Sequence, residues 1–75
     1  MSTVLDTKGF NCPIPVLKAR RSMRNLEVGD ELTVLATDPA SQIDMRHYCN
    51  TAGHEMIASS EEDGVFTYVI RKGDG

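Results

Sequence analysis

The chemistry of this 75-residue chain concentrates in one stretch, Gly9-Phe10-Asn11-Cys12-Pro13-Ile14-Pro15. Cys12 stands at the mouth of a segment with helical spacing, with prolines at the next position and two beyond that. With Cys12 as the N-cap, Pro13 is N1, Ile14 is N2 and Pro15 is N3. The first turn of a helix carries N–H groups with no partner inside the helix, and prolines at N1 and N3 remove two of them while presetting φ. The Ile14 and Val16 N–H groups and the positive end of the helix dipole are left for whatever sits on Cys12. Neutral sulfur caps a helix poorly, and Ser, Thr, Asp or Asn would stabilise the start better. A thiolate is favoured there, so the placement predicts a Cys12 pKa below the ~8.5 of a free thiol.

Position alone leaves a plainer reading open, because proline at N1 is common and a lone cysteine is often a small buried hydrophobe. The surrounding residue types narrow the chemistry. A hydrolytic cysteine needs a general base within hydrogen-bond reach, yet both histidines, His47 and His54, lie far along the chain. A dithiol redox motif needs a second cysteine two or three residues on, which is missing. A reactive thiol with neither base nor resolving partner fits a group carrier better than a self-sufficient enzyme.

The elements that must position Cys12 follow from periodicity. Thr3 to Thr7 is β-favouring and ends at Gly9, which predicts a first strand, with Asp6 and Gly9 shaping the turn toward Cys12. Residues 13 to about 25 predict a helix whose stripe Val16, Ala19, Met23 and Leu26 faces the core. Glu31 to Thr37 predicts a second strand. Asp38-Pro39 reads as an N-cap acid with proline at N1, opening a second helix whose core stripe is Met45, Tyr48, Cys49 and Ala52 and whose αL terminator is Gly53. Met56–Ser60 and Val65–Arg71 predict a hairpin around Glu62-Asp63-Gly64, followed by a frayed tail over 72–75. The order β-α-β-α-β-β predicts an α+β fold, a two-layer α/β sandwich. Its mixed four-stranded sheet has parallel first and second strands, a right-handed crossover, and both helices on one face. Seventy-five residues leave room for a single domain, 1–75.

At this point a family resemblance becomes specific. Asp6-x-x-Gly9-x-x-Cys12-Pro13-x-Pro15, with Leu26 near the helix end, resembles the signature of the TusA/SirA-like small sulfur carriers. Asp38-Pro39-Ala40, Tyr48-Cys49 and Ile70-Arg71-Lys72-Gly73 extend the likeness over essentially the whole chain. One small departure is an end that reads Gly73-Asp74-Gly75 instead of closing on Arg-Lys-Gly-Gly. The resemblance implies that Cys12 accepts sulfane sulfur as a persulfide from a donor, a cysteine desulfurase or a rhodanese-like protein, and relays it to an acceptor protein. It leaves open tRNA 2-thiouridine synthesis, dissimilatory sulfur oxidation and cofactor sulfur trafficking. Such a protein takes part covalently as a transfer subunit, with no cofactor beyond the cysteine persulfide.

Composition bounds the partners. A formal charge of −3 and 5% aromatic residues argue against direct nucleic-acid binding. That weakens the alternative of an RNA-binding or regulatory module with a fold like the C-terminal domain of translation initiation factor three. No run of about 18 apolar residues predicts a membrane span, and no basic-then-apolar leader opens the chain, so the expected compartment is the cytoplasm. The chain is expected to act as a monomer. Two cysteines are too few for a disulfide framework, and the core position of Cys49 disfavours a Cys12–Cys49 redox pair. His47, Cys49, His54 and Asp44 lack metal-ligand spacing, so no metal site is expected. On the first helix, Ile14, Leu17, Lys18 and Arg21 lie away from the core stripe beside Cys12. An apolar and basic rim there is the expected docking face for acidic surfaces of donor and acceptor proteins.

Overall fold

The computed structural model describes residues 2–74, arranged as β1 (Ser2–Asp6), α1 (Ile14–Met23), β2 (Glu31–Ala36), α2 (Ser41–Ala52), β3 (Glu55–Glu62) and β4 (Val65–Arg71). The four strands form one sheet in the order β1-β2-β4-β3. β1 runs parallel to β2, with Leu5 opposite Val34, while β4 pairs antiparallel with both β2 and β3. Period-2 alternation sets the sheet face: Leu32, Val34 and Ala36 of β2 and Phe66, Tyr68 and Ile70 of β4 are buried, and the residues between them are half-buried. Both helices close that one face. Ala19 and Met23 of α1 and Met45, Tyr48 and Cys49 of α2 join the buried cluster, with Val16, Leu26 and Ala52 packed at its margin. The chain is the predicted mixed sheet with two helices on one side.

Local chemistry explains the ends of the elements. The β3–β4 hairpin turns on Asp63 (φ 52°) and Gly64 (φ 82°), two consecutive left-handed residues of the kind an Asp-Gly pair supplies in a two-residue turn. α2 ends at Gly53 in the left-handed conformation, whose N–H returns to the Cys49 carbonyl. Two sequence expectations need correction. α2 begins at Ser41, because Asp38 and Pro39 form a lead-in turn in which Asp38 Oδ1 accepts the Ala40 N–H at 3.0 Å. Lys72 and Gly73 are also not frayed. The Lys72 N–H donates to the Asp30 carbonyl (2.8 Å), its carbonyl accepts from Gly29 (2.9 Å), and its ammonium reaches the Leu26 carbonyl. The Gly73 N–H donates to His54 Nδ1 at 3.0 Å, and Gly75 lies outside the described residues.

Candidate functional site

The loop between β1 and α1 is fastened step by step to the end of β2. Thr7 is fully buried, and both its N–H (2.8 Å) and its hydroxyl donate to the Leu35 carbonyl. Two residues on, the Gly9 N–H donates to Thr37 Oγ1 at 2.9 Å, with Gly9 at φ 87°. Three residues later the Cys12 N–H donates to Asp38 Oδ2 at 2.6 Å. Asp6 closes the turn before this run by accepting the Lys8 N–H at 2.9 Å. Because β1 and β2 are parallel, both of their following helices start at the same end of the sheet, and Cys12 lies in that crevice. Ligand and reaction sites of α/β sheets collect at this place.

Cys12 is exposed and free, whereas Cys49 is buried in the core, which pushes its thiol up to about 11. At the mouth of α1 the N-cap is Pro13 and not Cys12 as expected, so the helix starts one residue later; the Cys12–Pro13 peptide is cis, and Pro15 is buried. The Ile14 N–H donates to the Asn11 carbonyl at 2.9 Å. The expectation that this N–H waits for sulfur is therefore corrected, since the loop backbone already uses it.

A second correction concerns the thiol itself. Cys12 Sγ–H donates to Asp44 Oδ2, a carboxylate from the first turn of α2. That hydrogen bond raises the Cys12 pKa above its ordinary value, and desolvation and the negative charges of Asp44 and Asp38 push the same way. The expected thiol below the ordinary value is overturned, because the hydrogen bond to Asp44 first, then desolvation and the two carboxylate charges, raise it instead. The expectation of no proton acceptor beside Cys12 falls with it. Asp38 is fixed in its charged form: the N–H groups of Cys12 and then Ala40 hold its carboxyl below the usual carboxylate range.

Sequence reasoning missed Asp44, the Asp38–Cys12 bond, Thr7 and Thr37. One signal was available: parallel β1 and β2 must set the first turns of α1 and α2 side by side, and both carboxylates sit around that second start. The residues expected to form a docking face are largely at the surface, with Lys18 half-buried. Ile14 and Leu17 are exposed (37% and 50%), and Arg21 is exposed. Lys18 lies 4.8 Å from the centre of the Phe10 ring, which is itself 44% exposed. Among the described residues no group of three His, Cys, Asp or Glu side chains could hold a metal ion, and no helix is long and apolar enough to cross a membrane.

A small two-layer domain that shows one accessible thiol at the C-terminal ends of its parallel strands, with its second cysteine sealed in the core, has the form of a carrier. Comparison with known proteins gives that class its particular family. The family model described as "Sulfurtransferase TusA" matches residues 3–72. The sulfur carrier protein TusA of Pseudomonas putida is 46% identical over 69 residues, spanning 92% of this chain and 86% of that one. TusA of Pseudomonas aeruginosa is 40% identical over 72 residues, spanning 96% and 91%. The crystal structure of a SirA-like protein from Desulfitobacterium hafniense superposes with a TM-score of 0.84 at 30% identity, covering 96% of this chain and 99% of that one. The chain belongs to the TusA family of sulfur carriers, and the RNA-binding alternative is not favoured.

Proposed function

We propose that the protein carries sulfane sulfur as a persulfide on Cys12, taking it from a donor protein and passing it to an acceptor protein. The observation that carries this reading is the pairing of one exposed thiol on a pinned loop with one inert thiol in the core. In loading, the Cys12 thiolate attacks the terminal sulfur of a donor R–S–SH. The donor S–S bond breaks, the donor leaves as R–S⁻, and Cys12–S–SH is formed. No external oxidant is required, because the sulfane sulfur is handed over at its existing oxidation level. A cysteine desulfurase or a rhodanese-like protein has the right chemistry to donate. The acceptor serves tRNA 2-thiouridine synthesis, dissimilatory sulfur oxidation or cofactor sulfur trafficking, all of which draw on the same Cys12 chemistry.

Docking is assigned to the rim around Cys12. Phe10, Ile14 and Leu17 present apolar area there, with Lys18 and Arg21 as its cations. Aromatic and apolar anchors with a charged margin suit a transient protein contact. Intact-protein mass spectrometry after mixing with a cysteine desulfurase and cysteine tests the reading. A reducible gain of one sulfur, absent in Cys12→Ser, is expected. No gain, or a gain that survives in Cys12→Ser, refutes it, and a loss of two hydrogens would instead indicate a Cys12–Cys49 disulfide.

A further inference from the structure

The contact between Cys12 and Asp44 gives the carrier more than a place to hold sulfur. We propose that Asp44 is a proton-holding catalytic residue: its carboxylate keeps the Cys12 proton in place on the free carrier. A donor protein that sets a lysine or arginine against Asp44 releases the thiolate. The inference rests on the carrier reading of Cys12. Each side of the contact is built independently of the other. Asp44 lies between Met45, which is fully buried, and the first residues of α2, where buried Ser41 shares a hydrogen bond with Tyr68 Oη at 2.7 Å. Its own N–H is bonded to the Ala40 carbonyl at 3.2 Å. On the other side, the Cys12 backbone is tied to Asp38. The core therefore places the Asp44 backbone, and the bond to Asp38 places the Cys12 backbone, so that carboxylate and sulfur meet.

The charges nearby are one-sided. The groups acting on Cys12 are the carboxylates of Asp44 and Asp38. From the neighbouring elements, Lys18 of α1 is engaged with the Phe10 ring, and Lys8 lies 3.7 Å from Asp6. Asp44 forms no ion pair among the described residues. A thiolate beside an unneutralised carboxylate is disfavoured by like-charge repulsion, and a cation docked on Asp44 cancels that repulsion. The Cys12 S–H bond then breaks, the proton leaves through the Asp44 carboxylate to water, and the sulfur electron pair attacks the donor persulfide as written above. Between partners the sulfur stays a thiol and is poorly reactive toward stray oxidants and electrophiles. The partner implied is one whose docking face carries a cation opposite the start of α2.

The pH–rate profile for alkylation of Cys12 by iodoacetamide, followed by mass, tests the lock in wild type, Asp44→Asn and Asp44→Ser. Both variants are expected to show a lower midpoint. Each unit of decrease gives about tenfold more thiolate at neutral pH. The more acidic thiolate is a weaker nucleophile, with a Brønsted slope of ~0.4–0.5, which leaves about a threefold net gain in rate. A midpoint at or above that of wild type in a folded variant overturns the proposal. Loading supplies the partner arm. With glutathione persulfide the variants are expected to load faster than wild type, and with a cysteine desulfurase slower, because the docking cation has lost its mate. The same ordering with both donors overturns the release step. If none of the three proteins gains sulfur from either donor while the alkylation midpoints still differ as stated, the carrier reading fails and the proton-holding role stands.

Discussion

Replacing Gly73 by alanine should unfasten the C-terminal strap and lower the stability of the whole domain. A Cβ at Gly73 would land on the Gly53 carbonyl oxygen, 3.0 Å from the Gly53 carbonyl carbon and 3.5 Å from His54 Cα. All of these are backbone atoms at the left-handed end of α2, so no flexible side chain can yield. Overpacking against a rigid wall costs about 1–3 kcal/mol. Moving the strap instead gives up the Gly73 N–H bond to His54 Nδ1, worth about 0.5–1.5 kcal/mol, and loosens the Lys72 anchors. The chain takes the cheaper route, so the expected loss is about 2 kcal/mol. For a domain of this size that corresponds to a melting temperature lower by roughly 8–16 °C. Thermal unfolding by circular dichroism measures it. An NMR titration of His54 supplies the mechanism, because burial first, then the Lys72 charge, hold its pKa below the usual 6.5. Peeling the strap should return it toward that value. A variant as stable as wild type, or one that is destabilised with an unchanged His54 midpoint, would refute the argument.

Other consequences can be checked alongside it. His54 stays neutral in the folded protein at pH values where the unfolded chain begins to protonate it, so its contribution to stability is complete above about pH 6.5 and is lost as pH falls through the lowered folded value. Urea midpoints measured between pH 8 and pH 5 should fall, and His54→Gln should flatten the dependence. Charge reversal at Lys18 and Arg21 should slow sulfur uptake from a cysteine desulfurase several-fold with an unchanged melting temperature. An unchanged uptake rate removes the docking face from that rim.

Element types and order were legible because each signal was local. The β4 boundaries Val65 and Arg71 follow from alternation and an Asp-Gly turn, and the stripe Met45, Tyr48, Cys49 is set by helical spacing. Where the reading of the site went astray, the reason was distance along the chain. The Cys12-Pro13-Ile14-Pro15 sequence describes a helix mouth, and judged alone it favours an anionic sulfur. Its actual neighbours, Asp38 and Asp44, come from 26 and 32 residues away, and they reverse the sign of the effect. Gly73 was read as tail for the same reason, since its partner His54 lies 19 residues earlier.

By itself, then, the sequence determined that one thiol sits at a helix mouth, that the other lies on a core stripe, and that the strands pair with β1 parallel to β2. These depend on period, turn chemistry and side-chain volume, which act over a few residues. The tertiary structure alone decided how the thiol is held. Parallel pairing of β1 and β2 brings the starts of α1 and α2 to one end of the sheet, and only there does the Asp44 carboxylate meet Cys12. Electrostatic environment depends on distance through space, and a sequence gives distance only along the chain.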